Sequence, residues 1–167
     1  GAKKVEDLLR WCLDLGVKSV TLYAFSTENF QRSPQEVDEI MRLAEEKLKN
    51  LLTDENIHKH EVQVKVIGRL NLLPESLQRT IEEVEGATKD YDKHFLNVAI
   101  AYGGRAEIVD ATRKIAQIVE KGELTPKDIN EETFERYLYT AHLPKQDPDL
   151  IIRTSGEERL SGFLLWQ

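Results

Sequence analysis

The chain has 167 residues, 23 Lys and Arg against 30 Asp and Glu, and a formal net charge of −7 at pH 7. That length suits one domain with one sizeable core, and 40% hydrophobic with 32% charged residues describes a folding chain, not a disordered one. The acidic balance argues against a broad basic face for nucleic acid, but it leaves room for a local basic pocket that takes a small anion.

Val5, Leu8, Leu9, Cys12 and Leu13 recur at helical spacing, and Gly16 is placed to end that helix. Cys12, the one cysteine, reads as a small core residue. A single thiol excludes an internal disulfide and a multi-thiolate metal site and fits a reducing cytosol. Residues 19–25, β-branched and aromatic, predict a buried strand. Ser33-Pro34-Gln35-Glu36 is a helix start, with a capping serine, a first-turn proline and a glutamate three positions on. Val37, Ile40, Met41, Ala44, Leu48 and Leu51 then mark the apolar face of a long helix over 34–52, with Asp38/Arg42, Arg42/Glu46 and Glu45/Lys49 as i,i+4 pairs on its wet side.

His58 and His60 straddle Lys59, a spacing that suits a solvated connector and does not put two imidazoles on one helix face. Residues 62–67 alternate as a strand, 74–87 read as a helix and 95–101 as a nearly continuous apolar strand. A helix over 105–119 turns Ile108, Ala111, Ile115 and Ile118 inward. Thr125-Pro126 starts a short helical turn, 131–140 read as another helix, and 150–152 as a short fourth strand. Residues 163–166 begin an element the chain does not finish. Strands alternating with helices predict an α/β fold with a mostly parallel central sheet flanked by helices, as a single domain over 1–167. No apolar run approaches the roughly 18 residues of a spanning helix, and no cationic-then-apolar leader opens the chain. A cytoplasmic protein is expected.

Ligands of open α/β sheets bind beyond the carboxyl ends of the strands. Each predicted strand end here carries an arginine: Arg32, Arg69, Arg105, and Arg153 with Arg159. Serine, threonine and glycine surround them. Guanidinium forks, hydroxyls and approachable backbone N–H groups suit a phosphate or diphosphate. The alternative for any one arginine is a plain ion pair with a neighbouring carboxylate. Other phosphate chemistries lack their motifs: there is no Gly-x-x-x-x-Gly-Lys-Ser/Thr loop, no dinucleotide fingerprint around Gly103-Gly104, no Gly-x-Ser-x-Gly elbow and no Asp-Asp-x-x-Asp cluster. His94 and His142 sit in lone polar contexts.

Three stretches, Thr21-Leu-Tyr-Ala-Phe-Ser-Thr-Glu-Asn-Phe30, Ala101-Tyr-Gly-Gly-Arg105, and Asp149-Leu-Ile-Ile-Arg-Thr-Ser-Gly-Glu157 followed by Arg159-Leu-Ser-Gly-Phe-Leu-Leu-Trp-Gln167, closely resemble the cis-prenyltransferase family of undecaprenyl and dehydrodolichyl diphosphate synthases. The resemblance runs over essentially the whole chain. It is most archaeal in Gly68-Arg-Leu-Asn-Leu-Leu-Pro74 and Thr140-Ala-His-Leu-Pro144. It implies condensation of isopentenyl diphosphate onto an allylic diphosphate, farnesyl or geranylgeranyl, to give a long polyprenyl diphosphate. It implies magnesium as cofactor, a homodimer, and peripheral membrane contact through the lipid product, without nucleic acid.

By the same resemblance Ser26, Thr27 and Glu28 lie on a mobile substrate loop, and Asn29 assists proton removal by orienting a diphosphate oxygen or water. Phe30 contacts the allylic substrate, and Arg32 meets a diphosphate. Arg153, Arg159 and Ser161, with the Leu160 backbone, form the isopentenyl diphosphate site. The 34–52 helix lines a hydrophobic tunnel, a role its periodicity shares with ordinary core packing. Gly162 stands where relatives often carry asparagine. The family's magnesium-binding aspartate would fall before Gly1 and a metal-associated glutamate after Gln167. The 167-residue chain is therefore expected to look truncated at both ends, to hold no metal ligand and to turn over little. Two other readings remain: a non-catalytic partner subunit of such an enzyme, and a generic diphosphate-binding α/β module.

Overall fold

In the computed structural model, residues 2–154, 156, 157 and 159–167 are described, without the side chains of Ala2 and Lys3. Ser155, in the third motif, and Glu158, between its two parts, lie outside the described residues. The chain divides into two compact units, Gly1–Ala101 and Tyr102–Gln167.

The first unit opens with α1 (Ala2–Asp14), whose Leu9 and Leu13 pack against the core. Its end is a Schellman arrangement. The Val17 N–H donates to Cys12 O at 2.9 Å and the Gly16 N–H to Leu13 O at 3.0 Å, with Gly16 at φ +71°, where a side chain would be strained. Strand β1 (Ser19–Ser26) follows. Helix α2 (Pro34–Leu51) starts on the capping box its sequence announces: Ser33 Oγ accepts the Glu36 N–H at 3.4 Å, and Glu36 Oε2 accepts the Ser33 N–H at 3.3 Å. Met41 and Leu48 are buried, and Val37, Ile40, Ala44 and Leu51 pack beside them.

Helix α3 (Glu55–Lys59), strand β2 (Val62–Ile67), helix α4 (Glu75–Thr88) and strand β3 (His94–Tyr102) complete the sheet layer. The strand order is β1-β3-β2. β2 and β3 pair in parallel from Val62 opposite His94 to Ile67 opposite Ala99. β1 runs the same way: the Phe95 N–H donates to Lys18 O at 2.8 Å, and further on Asn97 Nδ2 donates to Thr21 Oγ1 at 3.2 Å. The sheet is mostly parallel and flanked by helices, as the alternation predicts.

β2 is an edge strand, and its outer N–H groups are covered by α4. Thr88 Oγ1 accepts from Val64 at 3.1 Å, and Glu85 Oε1 accepts from Val66 at 2.9 Å. Buried donors are costly to leave unpaired, so these side chains stand in for a missing strand. β1, at the other edge, departs from the buried strand expected: Tyr23 and Ala24 are exposed and Phe25 alone is buried. Its outer edge meets no further strand among the described residues.

The second unit contains α5 (Gly104–Glu120) and α6 (Glu131–Glu135). Between them lies the turn Pro126–Asp128, boxed by Thr125 and Asp128. α6 stops well short of the helix expected over 131–140. Beyond it the chain trades helical hydrogen bonds for tertiary ones, because the Tyr139 N–H donates to Glu107 Oε1 at 2.8 Å and Glu135 O accepts from Gln146 at 3.3 Å.

The fourth strand expected at 150–152 is not a strand. Leu150 and Ile152 are 75% and 69% exposed, and a short apolar run with no ladder partner among the described residues has nothing to hold it extended. Residues 163 and 164 lie in a turn and Leu165 in a bend, with no helix or strand over 163–166. The histidine connector is also partly helical, since His58 lies in α3. Its ring nitrogens lie 2.9 Å from Tyr91 Oη and 2.8 Å from Leu52 O, which accounts for both of them structurally.

Candidate functional site

Beyond β1 the chain folds into a tight 3-10 turn over Thr27–Gln31, not an open loop. Asn29 makes it: its Oδ1 accepts the Ser26 N–H at 2.9 Å, and the Arg32 N–H donates to Asn29 O at 3.1 Å. A backbone N–H can be met only by the amide oxygen, so Nδ2 of Asn29 is the end left to donate. Phe30 sets its ring edge-on against Phe25, centroids 5.0 Å apart, and packs on the core. Glu28 and Arg32 are exposed, while Ser26 and Thr27 are half-buried. Tyr23 beside them is exposed as a residue, but partial burial still pushes its phenol up, with the Ser26 hydrogen bond pulling it down and the Glu28 charge adding to the rise.

The ends of β2 and β3 approach closely. Gly68, at φ +136°, has no room for a side chain, because a Cβ would sit 2.0 Å from Ile100 O. The Arg69 N–H donates to Ala101 O at 3.1 Å, and Ala101 itself is left-handed at φ +50°. Non-glycine residues reach that conformation at a cost, and such strain gathers near functional ends of sheets.

In the second unit, Arg153, Glu157, Arg159 and Ser161 come together. Arg153 donates through Nη2 to Glu157 Oε2, and through Nη1 to Arg159 O and to Ser161 Oγ, the last at 3.0 Å. Arg159 donates through Nε and Nη2 to the two oxygens of Glu157, both at 3.0 Å. Two guanidinium groups share one carboxylate, which leaves one positive charge in excess among these side chains. The arginine-with-carboxylate alternative is thus realised through Glu157, and a diphosphate with more charge and more oxygens could compete for the same donors. Arg159 and Leu160 are exposed.

Glu107 belongs to no motif that marks a site. It is buried in α5. It accepts from the Tyr102 hydroxyl, from the Tyr139 N–H at 2.8 Å and from Gln167 Nε2 at 3.3 Å. Burial pushes its carboxyl above the ordinary range, against those hydrogen bonds and the Lys114 charge. The signal was available: Glu107 lies four residues before Ala111 on the inward stripe of the helix.

The magnesium that the resemblance implies finds no ready-made cage. Among the described residues no group of three or more His, Cys, Asp or Glu side chains is placed to hold a metal ion, and Glu157 is engaged by both arginines. These residues do not fit the ion by themselves. Among the described residues no helix is long and apolar enough to cross a membrane.

A mostly parallel sheet flanked by helices makes this an α/β protein, and two arginines and a serine gather on the segment 153–161. The fold matches lavandulyl diphosphate synthase from Lavandula x intermedia, solved in complex with dimethylallyl diphosphate, with a TM-score of 0.85 and 45% identity over 92% of this chain and 65% of that one. It also matches a probable undecaprenyl diphosphate synthase from Campylobacter jejuni, with a TM-score of 0.83 and 36% identity over 99% of this chain and 75% of that one. The prenyltransferase family model described as "Putative undecaprenyl diphosphate synthase" covers residues 1–167.

The tritrans,polycis-undecaprenyl-diphosphate synthases (geranylgeranyl-diphosphate specific) of Methanocaldococcus jannaschii and Methanopyrus kandleri are each 57% identical, over 100% and 99% of this chain. The chain belongs to the undecaprenyl diphosphate synthase family of cis-prenyltransferases. It spans about 60% of the length of those curated relatives.

Proposed function

We propose that this chain serves cis-prenyl elongation, condensing isopentenyl diphosphate onto geranylgeranyl diphosphate to build a long polyprenyl diphosphate. The observation that carries the reading is the segment 153–161, where two arginines, a serine hydroxyl and an exposed backbone converge around one carboxylate. The motifs around it and the names of the archaeal relatives support it.

In the reaction, the allylic carbon–oxygen bond breaks and diphosphate departs. The isopentenyl double bond attacks the allylic carbon, and a proton then leaves to set the new cis double bond. Charge grows on the departing diphosphate, so donors aimed at it act mainly in the transition state. Arg32 would meet that diphosphate. Asn29, whose oxygen holds the turn, would direct its Nδ2 at the oxygen that receives the proton. Arg153, Arg159, Ser161 and the Leu160 backbone would hold isopentenyl diphosphate, while Ser26, Thr27, Glu28 and Phe30 would shape the allylic side.

We further assign a homodimer, magnesium dependence, a cytoplasmic setting with peripheral membrane contact through the product, and a product tunnel along the apolar face of α2. The test uses the full-length synthase carrying this sequence, labelled isopentenyl diphosphate, and geranylgeranyl or farnesyl diphosphate as starter. Incorporation into long products, faster from geranylgeranyl diphosphate, is expected. Absence of incorporation, with isopentenyl diphosphate binding no better than ATP, would return the chain to a generic phosphate-binding module.

A further inference from the structure

Residues 159–162 carry the donors assigned above to isopentenyl diphosphate, yet no helix or strand holds them. Their backbone is unusual. Ser161 and Leu164, neither of them glycine, are left-handed at φ +49° and +44°, and Gly162 between them is at φ +75°. A run of this kind persists only where its surroundings over-determine it.

The first turn of α5 supplies that restraint. The Gly104 N–H donates to Gly162 O at 2.8 Å. Gly104 itself has no room for a side chain: a Cβ there would sit 2.5 Å from Gly162 O, 2.6 Å from Leu165 Cβ and 3.2 Å from Leu165 N. Its φ is not left-handed, so glycine is needed here for close approach and not for backbone freedom. One turn on, Glu107 accepts from Gln167 at 3.3 Å, and the Tyr102 ring meets Phe163 edge-on, centroids 6.1 Å apart. The segment is gripped just after Ser161 and again at Gln167.

We infer that Gly104 is a positioning residue: its bare backbone lets the 161–165 turn dock on the start of α5, and that docking sets where Arg159, Leu160 and Ser161 present their donors. The inference rests on the isopentenyl diphosphate assignment above. A Cβ at Gly104 must displace the Gly162 carbonyl, a backbone atom one residue from Ser161. Because a diphosphate is held by several donors at once, a shift of part of an ångström loses affinity without touching any of them.

The experiment is steady-state kinetics on the full-length synthase with Gly104→Ala, Gly162→Val, Gly162→Asn and, as reference, Gly86→Ala, where a Cβ meets nothing within 4 Å. Gly104→Ala is expected to raise KM for isopentenyl diphosphate about tenfold, leaving KM for the allylic starter and the melting temperature near wild type. Gly162→Val should do the same, since a β-branched residue rejects the left-handed region. Gly162→Asn, which tolerates it, should restore the wild-type KM, and Gly86→Ala should change none of these constants.

Wild-type KM for isopentenyl diphosphate in a folded Gly104→Ala enzyme would overturn the inference, as would equal losses for both substrates. Should Gly104→Ala fail to fold, equal KM values in the Gly162→Val and Gly162→Asn enzymes would overturn it instead. If Arg153→Ala and Arg159→Ala also leave that KM unchanged, the substrate assignment itself falls; if they raise it, only the role of Gly104 does.

Discussion

Arg153 and Arg159 meet on Glu157, so each arginine is already oriented before any substrate arrives. In the full-length enzyme, Arg153→Ala and Arg159→Ala should each remove a charge-assisted contact of about 1.5–3 kcal/mol. KM for isopentenyl diphosphate should rise by about one to two decades, with little change in melting temperature; unchanged kinetics would make the cluster a plain ion-pair network. Asn29→Ala should lower kcat more than it raises either KM, because its amide Nδ2 is assigned to the oxygen that receives the proton, a task of the transition state and not of substrate binding. A rise in KM alone would make Asn29 a binding residue.

Glu107 gives the pH prediction. Burial raises its carboxyl above the ordinary value of 4.5, while Tyr102, Tyr139, Gln167 and Lys114 oppose the rise. The native state therefore holds a proton that the unfolded chain releases. Its contribution to stability is full below 4.5 and is lost as pH rises through the higher folded value. Urea midpoints followed upward from pH 4 should show that loss, and Glu107→Gln should flatten this part of the slope.

At the scale of elements, the cap of α2 and the covered edge of β2 carry the clearest local energetics. Ser33→Ala removes the acceptor for the Glu36 N–H and should cost about 1 kcal/mol in urea unfolding. Thr88→Val keeps the shape but leaves the buried Val64 N–H without its partner, at a cost of about 1–3 kcal/mol. The first could be foreseen, since Ser33, Pro34 and Glu36 are contiguous and the cap is made within one turn. The second could not, because Thr88 and Val64 are 24 residues apart and nothing local marks Thr88 as a stand-in for a strand. The 131–140 segment shows the same limit in reverse. Its helical pattern runs on, but the Tyr139 N–H is taken by Glu107 from 32 residues away.

For the whole molecule, the apolar face of α2 is where a product path and plain core packing predict different outcomes. Met41 and Leu48 are core residues, whereas Ala44 is half-buried beside them. If a growing chain passes along that face, Ala44→Trp in the full-length synthase should shorten the product while initial rates hold. A folded variant with unchanged product length would leave α2 as core packing alone.

The sequence by itself determined the helix and strand periods, the α2 cap, the mostly parallel sheet and the gathering of arginines beyond predicted strands. All of these follow from neighbours within a few residues and from order along the chain. Tertiary structure alone decided that 150–152 is not a strand, that Asn29 spends its oxygen on the Ser26 N–H, and which residues, up to 60 positions away, pair with the Glu107 carboxylate. It alone showed Gly104 pressed against the Gly162 carbonyl. The physical reason is common to all four. Whether a polar group is paired, shielded from water or short of space depends on which distant segment lies against it, and a local pattern of residue types does not carry that information.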